Sequence, residues 1–470
     1  MPADQLDILI IGAGAAGLAA AVFAGEAAAG RSLRLAIVDG ATKPGAKILV
    51  SGGARCNVTH RQVTEDDFWG GPRPLIRRVL RVFDHTHTLG WMRSLGVELK
   101  LEDTGKYFPV TDRSRTVLEA LLRRVDELGV TLHRDARVLE IQPLDSHTVA
   151  GLTPARSAAQ AVEGVARSVA AGQAGSTPNE DGGWRVTFRD REPLMARRLI
   201  VATGGLALPK SGSDGWGLEA LRSLGHTIIQ PTPALAPLVC DADQPGPGGQ
   251  FADFSGITLD VRLGLFDDRD RRLEERHGSL VFTHFGISGP AALDLSRHWL
   301  RARLERPDRP LQVRLAIPGL VSFESADRWL QDQAQSSPRR DVATALRAWL
   351  PERLARAYVE GQPNLANLGK SARRQLAHWL TGLPLRVTHD RGYAHAETTA
   401  GGVDLREIDM STMASKRLRH LHLAGEVCDV DGRLGGFNFT WAWASGFLAG
   451  RGAVASLGIE PRNVSWTRHD

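Results

Sequence analysis

The chain has 470 residues, enough for two or three domains at roughly 150 residues each. Hydrophobic residues make up 42% and charged residues 24%, which supports a folded core and excludes a disordered or fibrous chain. The net charge of +5 permits an anionic partner such as RNA without demanding one, and the three cysteines (Cys56, Cys240, Cys428) exclude a disulfide framework and a CxxC metal site.

In chain order, Leu6–Ile11 is a short apolar run ending in glycine, as a buried parallel strand does. The alanine-rich Ala15–Ala29 reads as a helix and Leu33–Val38 as the next strand, which together make one βαβ unit. Asp4 and Asp7 stand where a signal peptide would carry positive charge, and no long apolar span follows elsewhere, so a cytoplasmic protein without a membrane partner is expected. Arg73–Leu95 and Arg113–Leu128 have helical periodicity, Arg137–Ile141 is a candidate strand, and Trp184–Phe188 and Arg198–Ala202 are strands again. Between them, residues 151–183 are rich in Ala, Ser and Gly and read as a low-complexity insertion. Leu259–Leu265 and Gln312–Ala316 suggest a small β domain, Ser322–Leu380 is helical, and Leu421–Leu423 with a helix from about Asn438 return to the opening pattern.

Four glycine-rich strings carry chemistry. Gly12-Ala13-Gly14-Ala15-Ala16-Gly17 is GxGxxG between a strand and a helix: the first glycine turns the chain, the second lets backbone approach a pyrophosphate, and the third packs helix on strand. The free N–H groups of the helix start then face the phosphates, and Asp39 ends the second strand where a carboxylate reads ribose hydroxyls. Gly45–Asn57 follows, with Ser51, Gly52 and Gly53 allowing backbone to hug a flat or anionic ligand and Lys47 and Arg55 supplying charge. Thr203 and Gly204 end another strand on small residues. Ala424–Gly446 places Gly425, Glu426 and Asp429 before a helix whose N-terminus follows Gly436, and the two carboxylates suit ribityl hydroxyls; with Asp431 they lack the rest of a calcium loop, so no metal is expected. Cys56 is a candidate reactive thiol or a buried small hydrophobe, and His284, in Phe282–Pro290, a candidate proton donor or a structural histidine.

The strings GAKILVSGGARCN, FTHFGISGPA and AGEVCDVDGRLGGFNFTWAWASG resemble the flavoproteins known as BaiN-like or aminoacetone oxidase family FAD-binding enzymes. The resemblance implies an α/β, Rossmann-like FAD-binding domain split in sequence (1–208 and 397–470), with an inserted β-barrel-like domain (209–320 and 384–396) and an inserted helical domain (321–383). It also implies that Ala16 and its neighbours hold the pyrophosphate, Asp39 the ribose, and Val138 the adenine through backbone. Ala46, Lys47 and Gly53 would line the cofactor, and Glu426, Asn438 and Phe439 its ribityl and isoalloxazine end. Two departures touch the substrate: Ala54 replaces a third glycine, and Phe437 and Thr440 replace a tyrosine and a glutamine.

Reactions of the family span amine oxidation, reduction of conjugated C=C bonds and formation of dihydrouridine in ribosomal RNA. The expectation for this chain is an FAD-dependent oxidoreductase that takes hydride from NAD(P)H and passes it to an unsaturated small molecule. An O2-using amine oxidase and a flavin-dependent RNA uridine reductase are the alternatives. A single dinucleotide fingerprint is present, so NAD(P)H would bind transiently without a Rossmann unit of its own.

Overall fold

The computed structural model describes residues 5–144, 182–241, 251–359 and 364–463, so the low-complexity stretch at 151–183 lies outside them apart from its last two glycines. Two compact units emerge. One comprises the chain up to Gly205, Ser211–Gln230 and everything from Gly401; the other comprises Leu206–Lys210 and Pro231–Ala400.

The first unit opens with β1 (Gln5–Ile11), α1 (Ala15–Ala27) and β2 (Leu35–Val38), followed by α2 (Ala46–Ala54). The long helical stretch expected at Arg73–Leu95 is two helices, Arg73–Val82 and His85–Ser94. Asp84 starts the second by accepting the His87 amide at 2.9 Å, a local cap that periodicity alone does not reveal. Next come α3 (Ser114–Glu127), β3 (Thr131–His133), β4 (Val138–Pro143), β5 (Trp184–Phe188) and β6 (Leu194–Val201). Strand β6 begins four residues before the expected Arg198, because its N-terminal end pairs antiparallel with β5 while the whole strand runs along β1.

The chain then builds the second unit: β7 (Leu238–Cys240), β8 (Thr258–Phe266), β9 (Arg272–Thr283), β10 (Gly286–Ser288), α4 (Pro290–Glu305), β11 (Gln312–Ala316), α5 (Phe323–Ser336), α6 (Lys370–Gly382), β12 (Leu383–Leu385) and β13 (Val387–Asp390). Its antiparallel sheet has the order β12-β11-β8-β9-β10-β7-β13. The strands at its two ends are separated in sequence by Arg386 alone, so the sheet curls until its edges approach in the chain. Alternation decides the faces: Val261, Leu263 and Leu265 of β8 are at most 1% exposed, and they share one apolar core with Leu330 of α5 and Leu376 and Leu380 of α6. Trp329 and Trp349 meet edge to face at 6.0 Å against that core.

The chain returns to the first unit with β14 (Leu421–Leu423) and α7 (Phe437–Ala455). The parallel strands lie in the order β3-β2-β1-β6-β14, which places a topological switch point beside β1. Helix α1 is apolar all round and buried, as a helix covered on every side must be. It packs on α7, where a Cβ on Gly450 would stand 2.4 Å from the Ala20 carbonyl oxygen, so only glycine permits this approach. No helix among the described residues is long and apolar enough to cross a membrane.

Candidate FAD site

The crevice outside the carboxyl ends of β1 and β6 is where an open α/β sheet binds its ligand. Gly12 turns the chain out of β1 at φ +104°, and a Cβ there would sit 2.5 Å from the Ala202 carbonyl oxygen at the end of β6. A Cβ on Gly17 would fall 1.8 Å from the Gly12 oxygen, so the third glycine serves helix–strand packing. Gly14 differs: a Cβ on it meets nothing within 4 Å, which leaves open space over the loop. Gly14 caps α1 without a side-chain hydrogen bond, so the first amides of the helix, those of Ala15 and Ala16, remain for a ligand.

Asp39 has a task that sequence did not reveal. Its carboxylate accepts the Ala13 amide at 2.6 Å and the Ala41 amide at 2.8 Å, tying the fingerprint loop to the end of β2. A ribose hydroxyl would share the remaining lone pairs.

The Gly45–Asn57 string winds into α2 and then leaves helical geometry. Ser51 turns extended, and Gly52, Gly53, Ala54 and Cys56 all have positive φ, between 56° and 67°. Ala54 therefore keeps the conformation of the glycine it replaces. Space around Gly53 is open, whereas Gly52 lies against Asn57 and the Phe108 ring. Ala46 begins α2 and Lys47 follows it, and the Lys47 ammonium binds the Glu426 carboxylate at 2.8 Å. Arg55 does not point a free charge at the crevice: it stacks on Phe108 at 3.9 Å and bonds Glu102 at 2.6 Å. Neighbouring carboxylates and an aromatic face therefore already engage the guanidinium.

Gly425 follows β14 with φ +78°; its amide donates to Ser445 Oγ at 2.9 Å and its oxygen accepts from Trp441 Nε1 at 3.1 Å. Asp429 is buried and its Oδ1 lies against Gly70. Gly436, at φ +90°, caps α7 without side-chain help, so a second helix N-terminus offers free amides. A Cβ on Gly436 would stand 2.8 Å from Asn57 Oδ1, a buried oxygen with no hydrogen-bond partner. Thr203 Oγ1, at the end of β6, is likewise buried without a partner, and Gly204 beside it has φ +76°. Asn438 bonds Gly432 twice, accepting at 2.8 Å and donating at 2.9 Å, and so shapes the loop before α7. Phe439 stacks on Trp443 at 5.4 Å, and Val138 is buried at the start of β4.

The two departures in the last motif have local partners. Phe437 stacks on His60 at 5.0 Å, and Thr440, fully buried, shares a 2.8 Å hydrogen bond with Thr59. Thr59 does not stand out in the sequence, whereas Trp441 and Ser445 lie inside the last glycine-rich motif, where their helical spacing on α7 is the signal that pairs them.

Cys56 is fully buried, and burial pushes its thiol up to about 12, which favours the reading as a buried small hydrophobe. His284 lies exposed in the tight turn between β9 and β10 of the second unit, edge to face with Phe285 at 5.1 Å.

Open space over Gly14, two uncapped helix starts and two orphaned buried oxygens fit a bound dinucleotide. Together with the parallel sheet and its switch point they define an FAD-dependent oxidoreductase, a flavoprotein whose cofactor lies on a Rossmann fold. The chain matches the family described as HI0933-like protein Rossmann domain over residues 6–179 and 164–452, and it belongs to that family. It is similar to a protein of Haemophilus influenzae named ribosomal RNA dihydrouridine synthase, 28% identical over 93% of this chain and 96% of that one. An Escherichia coli protein of the same name is 27% identical over 96% and 99%. A 3-dehydro-bile acid delta(4,6)-reductase of Clostridium scindens is 28% identical over 95% of this chain and 98% of its own.

Proposed function

We propose that this protein is a reductase that delivers hydride from NAD(P)H, through FAD, to a conjugated C=C bond. The observation that carries the flavin half is the pair of uncapped helix N-termini at Gly14 and Gly436. The first would hold the pyrophosphate, and the second would favour negative charge on the reduced ring. The acceptor half rests on the relatives' names. Forming dihydrouridine and reducing a delta(4,6) steroid both saturate a carbon–carbon double bond, and proteins of both names align along nearly the whole chain.

When bound, FAD supplies a two-electron carrier between donor and acceptor. The chain's own contributions are positional. The amides of Ala15 and Ala16 would bind phosphate oxygens, Asp39 and Glu426 would order the sugar and ribityl hydroxyls, and Lys47 keeps Glu426 in place. Asn57 and Thr203 would give their unpaired oxygens a partner. Gly12, Gly52, Gly53, Gly204 and Gly425 would let the backbone follow the cofactor closely. We read the curled sheet and the helices of the second unit as the β-barrel-like and helical inserts.

Anaerobic mixing with NADPH and NADH tests the donor. Bleaching of the flavin band, then recovery on adding an enone, is expected; a flavin that stays oxidised with both nucleotides ends the reductase reading. Uridine in ribosomal RNA is the second acceptor, favoured by the two relatives with that name. Loss of a dihydrouridine in a deletion strain would establish it, and unchanged RNA would dismiss it.

A further inference from the structure

The second unit contains a cavity of about 500 Å³ over the exposed face of its curled sheet. Three strands build its floor in register. Arg262 of β8 faces Ala316 and His277, Gly264 faces Arg314 and Glu275, and Phe266 faces Gln312 and Arg272. The β8 positions alternate with the buried Val261, Leu263 and Leu265, the pairing shifts by one residue between Leu265 and Phe266, and all nine of the facing residues except His277 line the cavity. Gly264, at the centre, contributes no side chain, and a Cβ there would meet the Phe266 ring at 2.6 Å. The result is a depression ringed by three guanidinium groups.

Two of the three are held in place by neighbours. Arg314 stacks on Phe266 at 4.4 Å, bonds Gln312 Oε1 at 2.7 Å and pairs with Asp270. Arg272 pairs with Glu275 at 3.0 Å, and His277 takes the other oxygen of that carboxylate at 3.0 Å. Arg262 is different. Its hydrogen bonds go to the carbonyls of Leu320 and Val321, at 3.4 and 3.5 Å, and the Glu275 carboxylate, which Arg272 and His277 already hold, lies within electrostatic reach of it. A guanidinium carries five N–H donors, so two long carbonyl contacts leave terminal donors of Arg262 for an anion in the cavity.

We propose that this cavity binds a small phosphate ester, with Arg262 as its principal anion contact. Three guanidinium forks around one depression match a group with three terminal oxygens better than a carboxylate with two. The volume exceeds that of a free phosphate ion and falls in the range of organic ligand sites. Ala316, Val321 and Pro384 supply apolar wall for the body of the ester. Every lining residue belongs to the second unit, so the proposal does not depend on the reductase reading.

The test is calorimetric titration of FAD-loaded protein with ribose 5-phosphate, ribose, inorganic phosphate and succinate. Saturable binding of ribose 5-phosphate at one site per chain is expected, weaker binding of inorganic phosphate, and none of ribose. Arg262→Gln should weaken the ester by about tenfold to a hundredfold, the range for one charge-assisted contact. Arg328→Gln, on an exposed part of α5, should leave it unchanged. Should Arg262→Gln fail to fold, Ala316→Leu narrows the cavity with every charge intact and should weaken the ester at least about tenfold. No saturable binding, equal affinity in both cavity variants and wild type, or succinate binding as tightly as the ester would each overturn the proposal.

Discussion

Lys47 and Glu426 are 379 residues apart in sequence, yet the Lys47 ammonium stands 2.8 Å from a Glu426 carboxylate oxygen. Both side chains are about four-fifths buried. The contact joins α2, from the first part of the Rossmann domain, to the turn after β14 in its last part. Strand pairing and the α1–α7 contact also join these two parts, and the Lys47–Glu426 pair adds a charged link beside the expected cofactor site.

Lys47→Met should lower the unfolding free energy by about 1–2 kcal/mol, more than a surface pair and less than a fully buried one. It should also reduce the flavin retained on purification, because Glu426 loses the group that orients it. Chemical denaturation and the ratio of flavin to protein absorbance check both. Full flavin content with unchanged stability would show that the pair positions nothing.

Ala54 and Gly436 give a paired backbone prediction. Ala54 holds φ +66°, which an L side chain resists, so Ala54→Gly should stabilise by up to about 1 kcal/mol. Gly436→Ala adds a Cβ 2.8 Å from Asn57 Oδ1 and from the Thr59 backbone at φ +90° and should cost at least about 2 kcal/mol. Urea midpoints moving in opposite directions are the expected result.

The pH dependence of stability follows from buried histidine. Burial lowers His422 from 6.5 to about 4, although its Nδ1–H donates to the Thr412 carbonyl at 2.9 Å. The unfolded chain therefore binds a proton that the native protein refuses. This contribution is complete above pH 6.5 and is lost as pH falls toward 4, on the order of 3 kcal/mol. Burial also lowers His226, adding to the same trend. Glu407, which burial alone would raise, is held near 2 by hydrogen bonds from Arg417, Thr227 and His226, so its share is lost only below about 4.5. Denaturation at a series of pH values should show falling stability from pH 6.5 downward, and His422→Leu should flatten that part of the curve.

The three thiols should be silent in the native state. Burial pushes Cys56 and Cys240 up to about 12 and raises Cys428 as well. A disulfide reagent at mildly alkaline pH should label none of them until the protein is unfolded, when all three should react. Cys56→Ala should keep turnover with NAD(P)H within about twofold; a loss of an order of magnitude or more would restore a chemical role to that thiol.

Much of this protein is written in local sequence. Short apolar runs bounded by turn residues mark β1 and β2, and alanine- and glycine-rich apolar stretches mark α1 and α7, because each is buried on nearly every side. The fingerprint at Gly12–Gly17 announces its ligand, because only glycine tolerates the 2.5 Å approach of the Ala202 oxygen and the 1.8 Å approach within the turn. What local pattern could not decide was which polar groups remain available once the chain has folded. Arg55 already bonds Glu102 and stacks on Phe108. Asn438 already bonds Gly432 with both ends of its amide. Asp39 serves the loop before it can serve a ribose. The arginine-ringed cavity leaves no trace as a motif, since Arg262, Arg272 and Arg314 meet only through strand register. Residue type and spacing determined the fold and the class of cofactor, because backbone geometry and apolar burial are local constraints. Tertiary structure alone decided which charges are spent and which are free, because hydrogen-bond partners come from anywhere in the chain.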